Sequence, residues 1–380
     1  MASNFATFVG TTKSMAGAGI RSKAKRRKRR LSHNANGGDS KRRRLIHDVP
    51  EDNAKGSCNQ EVVVFQDSAH SFLASQSNGD SSSSEADAAS VFFELANSPL
   101  IGYRVSNDKM IVIRQDNNCA IHTGGIVWET SYLLAEFLHE KYGNERSLHP
   151  LGNTLEIGAG CGMLGLVLAA KGLSSKVVLT EASEVMANLK DNVDANNIVG
   201  TIDSNTQSRD DTKSQKVGIH GTIYQPACPK NRASVRQLRW DHLKTDIKAA
   251  AVVPTDASTN KSCNELEPHS FDTIVGTDVV FSPSLVCPLL KTIKKMARKQ
   301  SKTKSSKGKD RMTQQSPTLI YLCLQVRCPD SHALLFSEAP NFGLEVVDIS
   351  DELKTSKCSW GLELECVILK IKVLRSVNDF

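Results

Sequence analysis

The glycine-rich run Thr154-Leu-Glu-Ile-Gly-Ala-Gly-Cys-Gly-Met-Leu-Gly165 has the residue types and spacing of a turn that holds a nucleotide-like ligand. An apolar strand leads into Gly158, Gly160 and Gly162, and apolar residues from Leu164 onward continue at helical density. Open α/β sheets bind such ligands at a strand–turn–helix junction, beside the carboxyl end of the strand. Glycine suits this turn because it lacks a Cβ and tolerates positive φ, so a ligand can approach the backbone.

A carboxylate follows at the end of the next strand, where the ribose of such a ligand would lie. The segment Lys176-Val-Val-Leu-Thr-Glu181 is a short apolar strand that ends in Glu181, and a carboxylate can accept hydrogen bonds from both ribose hydroxyls. An ordinary strand-end carboxylate is the alternative interpretation of Glu181. The segment Gly160-Cys-Gly-Met-Leu-Gly165 also satisfies the GxGxxG pattern of dinucleotide sites. The turn and Glu181 therefore fit either a dinucleotide or S-adenosylmethionine (SAM).

Two further features favour SAM. Glu156 lies two residues before the first glycine of the turn, where an acid would repel the pyrophosphate of a dinucleotide. The same acid suits SAM, which carries an ammonium group and a sulfonium cation. The second feature is Asp278-Val-Val-Phe281, which directly follows the apolar strand Phe271-Asp-Thr-Ile-Val-Gly-Thr277. We therefore predict that the glycine turn binds SAM.

The elements that must position these residues alternate between strands and helices. Strands are predicted at 102–105, 110–114, 154–157, 176–181, 234–240, 271–277, 318–324, 344–348 and 365–373, and helices at 132–138, 164–169, 185–193, 285–296 and 333–338. This alternation predicts an α/β fold with a largely parallel sheet and helices on both faces. Polar stretches at 201–233, 244–268 and 298–316 are interpreted as surface loops inserted between the elements.

The basic charge of the chain is concentrated at its N-terminal end. Residues 1–50 hold 13 Lys and Arg against Asp39 and Asp48, a net charge of +11, whereas the whole chain carries +7. The other 330 residues therefore have a net charge of −4. This value does not favour a globular domain that binds nucleic acid through a broad basic face. Residues 1–90 are rich in Ser, Asn, Gly and Ala, so we predict a disordered tail followed by a folded domain at 91–380.

Two basic clusters in this tail, 25–30 and 41–44, are separated by ten residues. This spacing resembles a bipartite nuclear import signal, so we expect an import receptor to bind residues 25–44 and the protein to reside in nucleus and cytoplasm. A polybasic arm with non-specific affinity for RNA or acidic surfaces is the alternative. An organellar transit peptide fits less well, because the tail lacks an amphipathic apolar stripe.

Membrane and metal sites are not expected from the sequence. No stretch reaches the roughly 18 apolar residues that a membrane helix requires. The ten cysteines include no CxxC pair, and Cys323 and Cys328 are the nearest neighbours. This pattern favours reduced thiols over a disulfide framework or a zinc site.

Several segments, taken in order, resemble one known family. They are Val127-Trp-Glu-Thr-Ser-Tyr-Leu-Leu-Ala135, Leu155-Glu-Ile-Gly-Ala-Gly-Cys-Gly162, Leu179-Thr-Glu181 with Asn188-Leu-Lys-Asp-Asn192, Leu238-Arg-Trp240 and Asp278-Val-Val-Phe281. Together they resemble the seven-β-strand protein methyltransferases of the methyltransferase-like 21 group, whose known members methylate lysines on chaperones and other ATPases. The resemblance covers roughly residues 100–375. It implies a Rossmann-like seven-stranded sheet, SAM as cofactor and a protein lysine as methyl acceptor.

The resemblance also implies roles for residues around the methyl donor. Trp128 would line the SAM site, where an indole face can stabilise a cation; a core tryptophan at a helix start is the alternative. Gly158 and Gly160 would pass beneath the methionine portion, with Glu156 facing its charged end. No metal is implied.

Four further positions match the family pattern. Glu181 would hold the ribose, and Trp240 would lie near the adenine edge, with a buried structural tryptophan as the alternative. Asp278 and Phe281 match the DxxY/F motif beside the acceptor pocket, where Asp278 would orient the acceptor amine. Phe281 replaces the commoner Tyr and therefore brings no hydroxyl. A loop cap is the alternative for Asp278, and simple packing is the alternative for Phe281.

Other functions stay open at this point. A methyltransferase acting on RNA or a small molecule keeps the fold, but the exit of the strand before Asp278 lacks the Asn/Asp-Pro-Pro-Tyr pattern expected for base amino groups. A non-catalytic SAM-fold interaction module is a second alternative, and a NAD-dependent oxidoreductase a third. We expect a monomer with a protein substrate of chaperone or ATPase type and no specific nucleic-acid partner.

Overall fold

Strands and helices alternate along the part of the chain that the computed structural model describes, which is residues 61–69, 88–116, 123–182, 184–197, 218–219, 222–223, 225–226, 232–251, 265–298 and 316–374. The strands are β1 (Val63–Val64), β2 (Leu100–Arg104), β3 (Lys109–Arg114), β4 (Gly152–Ile157), β5 (Ser174–Glu181), β6 (Gly218–Ile219), β7 (Thr222–Ile223), β8 (Gln225–Pro226), β9 (Ala233–Gln237), β10 (Thr273–Thr277), β11 (Leu319–Gln325), β12 (Leu344–Asp348) and β13 (Cys366–Val373). The helices are α1 (Ala88–Asn97), α2 (Glu129–Tyr142), α3 (Met163–Ala170), α4 (Met186–Asn197), α5 (Leu243–Ala250), α6 (Pro283–Met296), α7 (Pro329–Glu338) and α8 (Trp360–Glu363). None of these helices is both long enough and apolar enough to cross a membrane.

The main sheet has seven strands in the order β12-β13-β11-β10-β4-β5-β9. Every pair from β11 to β9 is parallel, whereas β13 runs antiparallel to both of its neighbours. Strand β4 comes first along the chain, with β5 and β9 on one side of it and β10 and β11 on the other. The order of strands therefore reverses between β4 and β10, which is where open α/β sheets bind ligands. The predicted α/β fold with a seven-stranded, mostly parallel sheet is confirmed.

The sheet is buried on both faces because its strands carry apolar residues at successive positions. Within β10, Val275 packs into the core on the side of α2, α3 and α4, whereas its neighbour Ile274 packs into the core on the side of α5, α6 and α7. In β11, Tyr321 and Leu322 divide in the same way. Successive side chains of a strand point to opposite faces, so helices are needed on both sides.

A second sheet of order β1-β2-β3-β8 adjoins the main one and includes part of the predicted tail. Strand β1 pairs in parallel with β2, and the Phe65 ring stacks on Tyr132 of α2 with centroids 4.4 Å apart. The folded unit thus includes residues 61–69, ahead of the predicted boundary at 90, because Val64 and Phe65 are buried. Residues 88–90 begin α1, and the rest of the predicted tail, 1–60 and 70–87, lies outside the described residues.

Asparagines on α4 join this second sheet to the main domain. The side-chain amide of Asn192 accepts from the backbone N–H of Arg114 at 2.9 Å and donates to the Arg114 carbonyl at 3.0 Å. Asn196 makes the same pair of bonds with Val112, at 3.0 and 2.8 Å. Each amide therefore takes the place of a strand neighbour and satisfies backbone groups of β3.

The predicted loop at 244–268 is partly wrong, because helix α5 (Leu243–Ala250) begins there. Leu243, Ile247 and Ala250 pack against the core that also holds α6. Their spacing of four and three residues is that of one helix face. The signal is short and stands among charged residues, so the segment resembled a surface loop. Within that stretch, residues 252–264 lie outside the described residues, as do most residues of the other two predicted loops.

Candidate functional site

A cavity of about 580 Å³ opens where four neighbouring strands of the main sheet end. Its walls are formed by residues that follow β4, β5, β9 and β10, together with the segment that leads into α2. Its size lies within the range of small-molecule sites, about 300–1,000 Å³. The ends of β4 and β10 adjoin at the reversal of strand order, so the cavity lies where this fold class binds its ligand.

The glycine turn forms the floor of the cavity. Gly158 has φ of 65° and Gly160 has φ of 54°, a backbone region that side chains with a Cβ rarely occupy. A Cβ on Gly158 would lie 2.8 Å from Cγ1 of Val279, and one on Gly160 would lie 3.3 Å from the carbonyl oxygen of Gly124. Both positions line the cavity. The predicted glycine residues are therefore required both by the conformation of the turn and by its close neighbours.

Glu181 lines the cavity at the end of β5 and is held by the backbone. Its Oε2 accepts a hydrogen bond from the Gly160 nitrogen at 2.8 Å, and its Oε1 accepts one from the Ala182 nitrogen at 2.8 Å. Burial raises the pKa of Glu181, while these two N–H donors lower it. Each oxygen keeps a further lone pair for a ligand, so the carboxylate is positioned for the predicted pair of ribose hydroxyls.

Glu156 does not line the cavity, in contrast to the predicted position facing the ligand's charged end. Its side chain is 1% exposed, and its Oε2 accepts a hydrogen bond from the Gly165 nitrogen at 3.0 Å. Gly165 lies in the first turn of α3, whose N-terminus carries partial positive charge. Burial raises the pKa of Glu156 to about 8, although the bond from Gly165 lowers it. This carboxyl group therefore supports the turn from beneath.

Two half-buried tryptophans, Trp128 and Trp240, form walls of the cavity. Trp128 precedes α2, and its Nε1 donates to the Thr123 carbonyl at 3.0 Å. The Trp240 ring lies beside the glycine turn, 3.5 Å from the position that a Cβ on Gly158 would take. An aromatic wall next to the turn provides a stacking surface for a purine ring. The structure therefore places both predicted tryptophans at the cavity.

Asp278 and Phe281 lie across the cavity from Glu181, directly after β10. Asp278 has φ of 51°, and its Oδ1 accepts from the Gln325 nitrogen at 2.9 Å. Its Oδ2 accepts from Thr130 Oγ1 at 2.8 Å. The phenyl ring of Phe281 is 53% exposed at the cavity wall. The predicted acceptor-side pair is thus brought to the same cavity as the donor-side residues, with the Asp278 carboxylate firmly anchored.

The charges around the cavity suit a cationic ligand. Four carboxylates line it, against one arginine and one histidine: Glu181, Glu184, Asp241, Asp278, Arg239 and His242. The arginine is already paired with Asp246, with Nη2 and Oδ1 2.6 Å apart. Asp278 is likewise paired with Arg327 beyond β11, so Glu181, Glu184 and Asp241 contribute most of the negative charge. A pyrophosphate would meet repulsion here, whereas SAM carries two cationic centres. Among the described residues, no group of three or more His, Cys, Asp or Glu side chains is placed to hold a metal ion.

Residues 105–217 match a family model described as lysine methyltransferase. This match, the strand order and the cavity together support a seven-strand SAM-dependent methyltransferase. The methyltransferase is similar to a candidate sarcosine dimethylglycine methyltransferase from Galdieria sulphuraria at 12% identity, which covers 64% of this chain and 85% of that one with a TM-score of 0.32. It is also similar to P. horikoshii TYW2 in complex with MeSAdo, at 11% identity, with 76% and 82% of the two chains covered and a TM-score of 0.35. No curated protein matches the sequence.

These two solved structures are too distant to support an acceptor for the methyltransferase. Their TM-scores are below 0.5, so the cofactor and fold rest on the family model, the strand order and the cavity. SAM fits the residues present, because Gly158 and Gly160 place no Cβ at the floor, Glu181 has free acceptor capacity and the walls are acidic and aromatic.

Sequence analysis missed three residues beside Asp278 in the methyltransferase. They are Glu129 and Thr130, at the start of α2, and Arg327, two residues beyond β11. The nitrogen Nη1 of Arg327 lies 2.8 Å from Asp278 Oδ2. The sequence held one signal for Arg327, because residues that follow parallel strands gather at one edge of a sheet. Position after β11 could therefore have singled out Arg327, and Glu129 and Thr130 lie in the segment 127–135 that resembles the known family, although only Trp128 of that segment was given a role.

Proposed function

We propose that this methyltransferase transfers a methyl group from SAM to the side chain of a lysine in a protein substrate. The observation that carries the proposal is that Asp278 and Phe281 line the same cavity as Gly158, Gly160 and Glu181. A methyl donor on the glycine turn and an acceptor beside Asp278 would therefore share one space. The family model described as lysine methyltransferase supports the acceptor class.

The residues of the chain contribute mainly by positioning. SAM, when bound, supplies an activated methyl group on a sulfonium centre. The glycine turn and Glu181 fix where the donor lies, and the walls near Asp278 and Phe281 limit where an acceptor can lie. Holding two reacting groups in alignment can supply about 7–11 kcal/mol of a barrier. A fixed cavity floor and an anchored Asp278 are what such alignment requires.

A lysine acceptor must also lose a proton before it can react. With a pKa of about 10.4, deprotonation near pH 7.4 costs roughly 4 kcal/mol. The apolar ring of Phe281 at the cavity wall disfavours the charged ammonium form. Asp278 is held by Thr130 and Gln325, which suits a group that orients an amine through a fixed acceptor. Because Phe281 has no hydroxyl, we assign no hydrogen bond to that position.

We extend the proposal to the substrate class and the location of the protein. The resemblance to the methyltransferase-like 21 group supports a chaperone or another ATPase as the substrate. The two basic clusters within residues 25–44 support binding of an import receptor and residence in nucleus and cytoplasm. Deletion of residues 21–44 from a fluorescent fusion should shift it from nucleus to cytoplasm. A deletion variant that stays nuclear would refute the import signal.

The acceptor can be tested with labelled SAM and a cell extract from which the endogenous enzyme has been removed. We expect label in protein, and mass spectrometry of the labelled bands should locate it on lysine. Label in RNA or in small molecules would overturn the lysine assignment. Calorimetry with SAM gives a second readout: binding without any transfer would favour a non-catalytic interaction module.

A further inference from the structure

The guanidinium of Arg327 is enclosed by three side chains at the acceptor side of the cavity. Its carbon Cζ lies 4.4 Å from the centre of the Trp128 ring. Its Nη1 lies 2.8 Å from Asp278 Oδ2, and its Nη2 lies 2.5 Å from Glu129 Oε1. An aromatic face and two carboxylates form a binding site for an organic cation. We call Trp128, Glu129 and Asp278 the cation site.

The acids of the cation site are more deeply buried than the arginine that neutralises them. The side chains of Glu129 and Asp278 are 11% and 12% exposed, whereas that of Arg327 is 37% exposed. Burial raises the pKa of Glu129, Arg327 lowers it, and Asp278 raises it again. Two buried carboxylates without a cation are unfavourable. The site therefore needs a positive group, and that group reaches it from the solvent side.

We propose that the cation site receives the ammonium group of the acceptor lysine, and that Arg327 is a resident cation which the acceptor displaces. The inference rests on the proposed function, since it takes the acceptor to be a lysine. Trp128 and Asp278 also line the cavity, so a cation held between them stands at its wall. An acceptor bound there is guided to the donor by the same carboxylates that now hold Arg327.

The position of Arg327 allows it to leave. It lies in the short connection between the end of β11 at Gln325 and the start of α7 at Pro329. Its long side chain is one-third exposed, so it can turn into solvent without unpacking a helix. Its departure without a replacement would leave Glu129 and Asp278 unpaired, so displacement is favourable only when another cation arrives. Arg327 thus neutralises Glu129 and Asp278 while no substrate is bound.

A purely structural clasp is the competing explanation. Arg327 would then tie α7 and β11 to α2, and its loss would lower stability without exposing a site for other cations. The two explanations differ in one measurable quantity. If Arg327 is a displaceable occupant, its removal raises the affinity of the site for a small ammonium ion. If it is a clasp, the small ammonium ion does not bind at Trp128 in the wild-type chain, because Arg327 stays in place.

The test is a titration of the full chain, with S-adenosylhomocysteine present, by n-butylammonium, which has the shape of a lysine side chain. The chain contains three tryptophans, so 5-fluorotryptophan labelling gives three ¹⁹F resonances, and Trp128→Phe assigns one of them. We expect n-butylammonium to shift the Trp128 resonance. Relative to wild type, Arg327→Gln should bind it at least tenfold more tightly, and Glu129→Gln more weakly. n-Butanol, which is neutral, should give no shift at Trp128.

Arg298→Gln is the matched control. Arg298 pairs with Asp272, at the opposite end of β10 from Asp278, so its loss removes a similar ion pair far from the cation site. We expect this variant to bind n-butylammonium as wild type does. Absence of any shift at Trp128 in the wild-type chain would overturn the proposal and support the clasp, and equal affinity in Arg327→Gln and wild type would also overturn it. Should Arg327→Gln fail to fold, the neutral variant Arg327→Met takes its place, with tighter binding than wild type as support and no gain as refutation.

The outcome is separable from that of the proposed function. The titration reads binding of an ammonium ion and requires no methyl transfer. If n-butylammonium binds at Trp128 but label from SAM is found only in RNA, the cation site is supported and the lysine substrate is refuted. If label is found on protein lysine but n-butylammonium does not shift the Trp128 resonance, the proposed function is supported and the cation site is refuted.

Discussion

The Oε2 atom of Glu156 lies 3.0 Å from the backbone nitrogen of Gly165, so an acid on β4 supports the first turn of α3 from beneath. Gly165 is required at this point, because a Cβ there would collide with the same carboxylate oxygen. The pair fixes the strand–turn–helix junction from the side opposite the cavity. The acid that favoured SAM in the sequence therefore acts on the shape of the site and does not line it.

The pH dependence of stability should reveal this buried acid. The pKa of Glu156 is raised by burial from 4.5 to about 8. The folded chain therefore holds a proton that the unfolded chain releases between these values, and the free energy of unfolding falls as pH rises from 5 to 8. Glu156→Gln keeps a carbonyl acceptor for Gly165 and cannot ionise. We expect its free energy of unfolding to exceed that of wild type by roughly 3 kcal/mol at pH 8, with little difference at pH 5.

Urea denaturation at pH 5, 6.5 and 8 measures this effect. A residual slope is expected in Glu156→Gln, because burial also raises the pKa of Glu181. Parallel profiles for the variant and wild type would show that Glu156 is already ionised at pH 5 in the folded chain.

Gly158→Ala should damage the cofactor site, whereas Gly172→Ala should not. Both glycines have positive φ, 65° and 73°, so both substitutions cost about 1–2 kcal/mol in backbone strain. A Cβ on Gly158 also meets Val279 at 2.8 Å, whereas the nearest atom for Gly172 is Arg232 Nη1 at 3.7 Å. Calorimetry should show SAM affinity at least tenfold weaker for Gly158→Ala and unchanged for Gly172→Ala. Equal affinities would mean that the turn can relax around the methyl group.

Much of the fold follows from signals within short segments. The alternation of strands and helices predicted the mostly parallel sheet, and the glycine spacing located its ligand-binding turn. Asp278 was found because it directly follows the apolar strand β10. Each of these features depends on residues that are neighbours in sequence, where period and turn chemistry are readable.

The parts that were missed depend on contacts between distant residues. Arg327 and Glu129 are 198 positions apart, and Asn192 bonds to Arg114 across 78 positions. Nothing in the local sequence of either partner specifies the other. The role of Glu156 was assigned wrongly for a related reason: its spacing from the glycines was visible, but the face of the strand to which it points depends on α3.

Asn192→Ala should destabilise the protein strongly. The Asn192 side chain is 3% exposed, and its amide bonds both backbone groups of Arg114 and also the Cys161 carbonyl. Each buried polar group left unpaired costs about 1–3 kcal/mol. We expect a loss of roughly 2–4 kcal/mol in urea denaturation. Asn188→Ala is the control, because Asn188 makes two weaker bonds, at 3.3 Å to the Arg114 carbonyl and at 3.7 Å to Cys161 Sγ; its loss should stay below about 1 kcal/mol. A similar loss in both variants would contradict the bonding role of Asn192.

Asp278→Asn should separate methyl transfer from cofactor binding. Asparagine tolerates the φ of 51° at this position better than alanine does, and its carbonyl oxygen can still accept from the Gln325 nitrogen. The variant loses the negative charge that faces the acceptor. Because misplacement of an acceptor can cost about a hundredfold in rate, we expect transfer from radiolabelled SAM to fall by at least that factor, while calorimetry gives a dissociation constant for SAM within about threefold of wild type.

Asp272→Asn provides the matched control, since Asp272 also pairs with an arginine but lies at the other end of β10, about 20 Å along the strand. This control should transfer methyl groups at the wild-type rate. If Asp278→Asn also transferred methyl groups at the wild-type rate, the assignment of Asp278 to the acceptor site would be refuted.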